Sequence, residues 1–139
     1  MSLVYYLKII LNNNYSMSDS EQICNICGDL LNNGYTITTK CNHTFHYECL
    51  QKSLLYSYEK KNSCPLCRQE IDLLPVVNGL KKLIRGIHYT SDEYRNSLNY
   101  VNKKCKHILK SGKNKGQPCN CNCKIGYEYC GKHYKSNKK

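Results

Sequence analysis

Cys24-Asn25-Ile26-Cys27, then Cys41-Asn42-His43-Thr44-Phe45-His46-Tyr47-Glu48-Cys49, then Cys64-Pro65-Leu66-Cys67 carry eight metal-type donors in a fixed order. A Cys-x2-Cys pair offers two thiolates from one tight turn, and tetrahedral zinc takes four nitrogen or sulfur donors. Two zinc ions would use all eight. A disulfide framework would not need two histidines locked into the same periodic array. The array therefore fits bound zinc in a reducing compartment.

Working outward, Leu3 to Leu11 is apolar but interrupted by Lys8, with no basic leader and no small-residue cleavage site, so a secretory signal is not expected. It reads as a helix or strand packing on the body, and polar Asn12 to Ser20 reads as a linker. No stretch approaches the roughly 20 apolar residues of a membrane span. Tyr35, Ile37 and Thr39 alternate with Thr36, Thr38 and Lys40, which predicts a strand leading into Cys41. From His46 to about Tyr58 the apolar residues Tyr47, Leu50, Leu54 and Tyr58 recur at helical steps. Glycine at 28 suits the left-handed backbone of a knuckle, and Pro65 fixes the last turn. Downstream, Val76, Val77, Leu80, Leu83, Ile84 and Ile87 make a helical stripe. A second helix is expected from Thr90, with Thr90 and Glu93 as a capping box and Tyr94, Leu98 and Val101 as its apolar face.

The chain has 139 residues, one Phe, no Trp and 13 Tyr, so core material is limited and metal must supply much of the stability. Its formal charge of +11 is lopsided, with +12 on residues 73–139. Lysine outnumbers arginine eighteen to three, as an AT-rich genome favours, which weakens any inference from this charge to nucleic acid. A second cluster, Cys105, His107, Cys119, Cys121, Cys123, Cys130 and His133, lies in this basic part. Ile108 to Lys110 and Gln117 to Cys119 flank a glycine-containing turn and read as a hairpin. Cys105, Cys119, Cys130 and His133 are the expected ligands of a third zinc. Cys121 or Cys123 remains an alternative to Cys119, and His107 an alternative to Cys105. Four segments follow: 1–20, an N-terminal segment and linker; 21–72, the finger; 73–104, a helical linker; and 105–139, a basic Cys/His zinc module.

The order and spacing from Cys24 to Cys67 resemble the RING finger, in its RING-H2 variant with two central histidines. The resemblance implies a small α+β, zinc-stabilised fold, a cross-brace finger with two zinc ions, followed here by helices and the second module. It assigns Cys24, Cys27, His46 and Cys49 to one zinc and Cys41, His43, Cys64 and Cys67 to the other. The 105–133 cluster looks like a small Cys/His motif found in proteins of large DNA viruses, which suggests a viral protein acting in an infected cell.

The same resemblance implies an E3 ubiquitin ligase, a transferase that makes no covalent bond to ubiquitin. Such a protein holds a ubiquitin-charged conjugating enzyme in a reactive arrangement, which is rate enhancement by positioning. At the matching positions Ile26 and Pro65 would contact the conjugating enzyme, with Leu66 and Leu54 adding apolar surface, and Arg68 would be the linchpin between enzyme and ubiquitin. Many active fingers carry a Trp four residues after the sixth ligand, where this chain has Ser53. Closed four-donor sites disfavour metal hydrolysis and masked thiolates disfavour cysteine catalysis. His88, outside both clusters, is expected at the surface. The competing reading is a non-enzymatic zinc adaptor that binds protein or nucleic acid through its basic C-terminal module. Localisation is expected to be intracellular, cytoplasmic or nuclear.

Overall fold

Two copies of one turn open and close the first half of the fold. In the computed structural model, which describes residues 22–57 and 62–137, the Cys24 N–H donates to the Asp29 carbonyl and the Gly28 N–H to the Cys24 carbonyl, both at 2.8 Å. The second knuckle repeats this, with Cys64 N–H to Gln69 and Arg68 N–H to Cys64, again both at 2.8 Å. Short antiparallel bridges, Ile23 with Leu30 and Ser63 with Glu70, close the two loops. The expected packing of residues 3–11, the linker 12–20 and the contribution of Tyr58 lie outside the described residues.

Between the knuckles runs a hairpin of strands β1 (Thr36–Thr38) and β2 (Thr44–His46), with Ile37 opposite Phe45. Its turn is closed by the Asn42 N–H on the Thr39 carbonyl at 2.9 Å, with Asn42 at φ 61°. Asparagine tolerates this left-handed backbone better than most residues. Strand β2 leads directly into helix α1 (Tyr47–Tyr56), whose N-cap is His46. The helix is two residues shorter than its periodicity suggested. Tyr47 and Leu50 point into a core shared with Leu31, Phe45, Ile71, Leu74, Leu80 and Ile87.

The apolar stripe from Val76 to Ile87 does not form the expected helix. Leu74, Leu80 and Ile87 are buried, but on an irregular chain path with turns at Asn78–Gly79 and around Gly86. Gly79 and Gly86 sit at φ 88° and 84°, outside helical space. The Gly79 backbone also passes the backbone of Lys124 where a Cβ would lie 2.8 Å away. Tertiary contacts override the periodicity here. The next helix, α2 (Asp92–Ser97), is capped by Ser91 and not Thr90; the Ser91 hydroxyl accepts the Tyr94 N–H at 3.2 Å. It stops before Val101, which is 79% exposed. Asn99, at φ 42°, turns the chain away.

His88 corrects another expectation, for it is 1% exposed. Its Nδ1 accepts the Ile84 N–H at 2.9 Å, so Nε2 carries the proton and faces the Tyr47 hydroxyl at 3.1 Å. That hydroxyl donates to the Pro75 carbonyl at 2.7 Å. The chain of bonds fastens the irregular segment to helix α1. Burial pushes the His88 pKa below its usual value.

Asn78 ties three segments together. Its side chain donates to the Tyr127 carbonyl and accepts the Lys103 N–H, while its own carbonyl accepts the Gly126 N–H, all at 2.8 Å. The C-terminal part bears the expected hairpin, with Leu109 N–H on the Gln117 carbonyl and Cys119 N–H on the His107 carbonyl. It ends in the short helix α3 (Gly131–Tyr134). No helix among the described residues is long and apolar enough to cross a membrane.

His88→Ala should cost about 1–3 kcal/mol, because it strands the Ile84 N–H and takes one of two partners from the Tyr47 hydroxyl, which keeps its bond to the Pro75 carbonyl. With its folded pKa lowered, His88 favours the fold fully above the unfolded value of about 6.5 and progressively less as pH falls below it. Urea unfolding with saturating zinc should therefore show a flatter loss of stability between about pH 7 and about pH 6 in His88→Gln than in wild type. Parallel curves would remove His88 as the titrating group.

Candidate metal centres

The fold delivers each donor from a different kind of element. The two knuckles supply Cys24, Cys27, Cys64 and Cys67; the hairpin turn supplies Cys41 and His43; the start of α1 supplies His46 and Cys49. Their ligand atoms gather into two groups, Cys24, Cys27, His46 and Cys49, and Cys41, His43, Cys64 and Cys67. A third group, Cys105, Cys119, Cys130 and His133, forms in the C-terminal part. Within each group the ligand atoms lie within 4.8 Å of one another. Donor pairs adjacent in sequence alternate between the first two groups.

Distances inside the groups fit a tetrahedral ion. Zinc–sulfur and zinc–nitrogen bond lengths require tetrahedron edges of about 3.8 Å between sulfurs and about 3.6 Å between sulfur and nitrogen. In the first group His46 Nδ1 is 3.4 Å from Cys27 Sγ and 3.9 Å from Cys49 Sγ. In the second, His43 Nδ1 is 3.4 Å from Cys41 Sγ and 3.5 Å from Cys64 Sγ.

The chemistry around the donors agrees. His46 Nε2 lies 3.0 Å from the Leu30 carbonyl, which only accepts, so Nε2 is protonated and Nδ1 turns a lone pair toward the sulfurs. Gly34 packs on the flat of the same ring, where a Cβ would come within 2.9 Å of it. Burial opposes ionisation of Cys24, but N–H groups of His46, Ile26 and Cys27 outweigh it and hold the thiol at about 7. The Thr39 hydroxyl, 3.0 Å from Cys41 Sγ, is the main cause bringing that thiol down to about 6. Cys49 is pushed up to about 12 by burial and by the neighbouring thiols of Cys27 and Cys24. Four close thiols and imidazoles cannot all shed protons unaided, and a dication in their midst supplies the missing counter-charge.

Residues 23–67 match the sequence model of the family described as zinc finger, C3HC4 type (RING finger). This stretch is a RING-like zinc-binding domain. The chain is also similar to the DNA repair protein RAD5 of Candida glabrata, 31% identical over 91 residues, covering 58% of this chain and 8% of that protein. It resembles the probable E3 ubiquitin-protein ligase RHC2A of Arabidopsis thaliana, 27% identical over 82 residues, covering 58% and 20%. The RING finger protein PSH1 of Saccharomyces cerevisiae is 32% identical over 56 residues, covering 40% and 13%. The chain thus spans a fifth or less of the length of these relatives. No solved structure gives a significant match.

Around the RING-like domain, Ile26 is 37% exposed and Leu66 is 47% exposed at equivalent places in the two knuckles. Pro65 and Arg68 are exposed beside Leu66, whereas Leu54 is half-buried and packs on the main core. Ser53 is half-buried on α1. One feature of Arg68 is invisible in the motif: its backbone is left-handed, at φ 60°, where the equivalent residue of the first knuckle is Gly28 at φ 80°. Aligning the two Cys-x2-Cys turns on each other was the available signal. Thr39 also escaped notice as more than a strand residue.

Thr39→Val should lower the zinc affinity of the second group about 10-fold, through loss of the hydroxyl on Cys41. Competition with a chromogenic chelator measures this, and an unchanged affinity would rule out the hydroxyl's role.

Proposed function

We propose that the protein is a RING-type E3 ubiquitin ligase of the RING-H2 variety, with a two-zinc cross-brace. In this reading Cys24, Cys27, His46 and Cys49 hold one ion, and Cys41, His43, Cys64 and Cys67 hold the other. Zinc would supply no reacting group; it would fix the shape of the two knuckles. Ile26 and Leu66 offer exposed apolar contact to a ubiquitin-conjugating enzyme, and Pro65 stiffens the second tip. Arg68 reaches from the end of that knuckle, where a planar guanidinium with five donors bonds acceptors on the conjugating enzyme and on ubiquitin together. Holding the charged pair in one arrangement lowers the entropic part of the transfer barrier.

The observation that carries this reading is the backbone of Arg68. A left-handed conformation costs a non-glycine residue about 1–2 kcal/mol. The first knuckle avoids that cost with Gly28, and the second keeps an arginine in the same turn. Strain retained at one exposed position supports a use for its side chain. Ser53 departs from the usual aromatic anchor, which favours a weaker or more selective grip on the conjugating enzyme. The viral setting and a cytoplasmic or nuclear location are part of the same proposal, supported by the second Cys/His motif and by the number of reduced-type thiols.

A zinc adaptor that binds nucleic acid through the C-terminal part is the second reading. Lys110, Lys113 and Lys115 are exposed on the hairpin at 107–119, and the ion pairs of the described residues, Lys40 with Asp72 and Lys106 with Glu128, involve none of them. Phosphate binding there would weaken steeply with salt.

In a reconstituted reaction with a broad panel of conjugating enzymes, the full chain should show zinc-dependent autoubiquitination. Arg68→Ala should depress transfer about 10-fold or more while the zinc content stays unchanged. Arg68→Gly should impair transfer equally, yet leave stability unchanged or raise it by up to about 1 kcal/mol. No activity with any conjugating enzyme, from folded and zinc-loaded protein, would sink the ligase reading.

A further inference from the structure

The third group of donors lies outside the RING-like segment, and its geometry repeats that of the first two. Cys105 Sγ is 3.6 Å from His133 Nδ1, Cys130 Sγ is 3.4 Å from the same nitrogen, and Cys119 Sγ is 4.0 Å from Cys130 Sγ. These are the edges a tetrahedral zinc requires, about 3.6 Å and about 3.8 Å. The donors come from separate places: the chain entering the hairpin, the end of the hairpin, and the start of α3, whose N-cap is Cys130. Cys105 and Cys130 are buried.

What surrounds these donors is equally telling. The buried cluster around the donors consists of Cys105, Cys123 and Cys130, with Cys119 and Tyr129 packed against them, and Tyr134 is buried at its edge towards the RING-like domain. Its centre is made of thiols where an ordinary domain would have leucine or isoleucine. Such a body has too little apolar area to offset the entropy of ordering its chain. The other potential donors contribute no ligand atom to the group, although Cys123 is buried in the same cluster. Cys121 is exposed, and the His107 ring lies flat on that of His133, with centroids 3.8 Å apart and planes 15° apart.

From this group an aromatic chain leads to the RING-like domain. Tyr134 follows His133 in α3, and its ring packs on Tyr127 at 4.3 Å. Tyr127 meets Tyr35 edge-on at 5.9 Å, and Tyr35 packs on Tyr47 of α1 at 6.1 Å. The fit is close: a Cβ added to Gly126 would lie 2.1 Å from the Tyr35 ring. Asn78 and the backbone at Gly126 fasten the same junction by hydrogen bonds.

We propose that Cys105, Cys119, Cys130 and His133 bind a third zinc ion, and that this ion is a clasp holding the C-terminal module against Tyr35 of the RING-like domain. The ion fixes α3 to the hairpin; α3 places Tyr134; Tyr134 holds Tyr127 and Gly126 on Tyr35. The module then serves as a fixed flank of the finger, and not as an appendage on a flexible tether. This inference does not depend on ligase activity, because its test uses no ubiquitin.

The test is native mass spectrometry of the full chain with added zinc, combined with amide hydrogen exchange. Wild type should carry three ions. Cys130→Ser and Cys105→Ser should each carry two, and Cys121→Ser should keep three. Cys119→His, which exchanges one zinc donor for another, should also keep three. In Cys130→Ser the Gly126 amide, bonded to Asn78 in the intact protein, should exchange at least about 10-fold faster while the first two sites stay filled. Gly126→Ala should retain three ions and still lose protection at the junction. Two ions in wild type, or three in Cys130→Ser, would overturn the site. Unchanged Gly126 exchange in a two-ion Cys130→Ser protein would overturn the clasp.

Discussion

Donor pairs that are neighbours in sequence converge on different centres, and the architecture of the first half depends on that constraint. Each centre must gather side chains from a knuckle and from the segment between the knuckles. Neither centre can form until the hairpin β1–β2 and helix α1 lie across the two turns. A chain with so few large apolar residues could not enforce this arrangement by burial alone. The small core of Phe45, Tyr47, Leu50 and Ile71 includes Cys24 of one donor group and Cys64 of the other.

The two knuckles share one turn geometry on different sequences. Their hydrogen bonds match one for one, and Ile26 and Leu66 occupy equivalent exposed places. The asymmetry falls at Gly28 and Arg68, the single turn position that demands a left-handed backbone. On the proposed ligase reading, a cationic side chain would thereby be presented from a hydrogen-bonded turn, which suits catalysis by positioning.

Much of this was legible in the sequence because metal ligation leaves a rigid spacing code. The donor clusters, the strand leading into Cys41 and the helix that follows His46 are readable from residue types and intervals, whereas the second strand, Thr44–His46, is not. The segment from Leu73 to Tyr89 did not follow. Its apolar residues fall at helical intervals, but Gly79 and Gly86, the bonds of Pro75 and His88 to Tyr47 and the close pass of Gly79 by Lys124 impose an irregular path. His88 was misplaced for the same reason: its partners are the Ile84 N–H and the Tyr47 hydroxyl, and the second comes from far away in sequence. Periodicity reports which residues seek burial, whereas the path that buries them is set by distant contacts.

The contact between Gly126 and Tyr35 bears on how interchangeable the parts of this protein are. Here one face of the hairpin is shaped to receive a backbone with no side chain, and that backbone belongs to a segment some ninety residues further along. A finger transplanted without its flank would leave the Tyr35 ring facing water, and a foreign finger set beside this module would have to offer the same flat aromatic surface. The two parts are therefore constrained to change together, as the halves of one interface are.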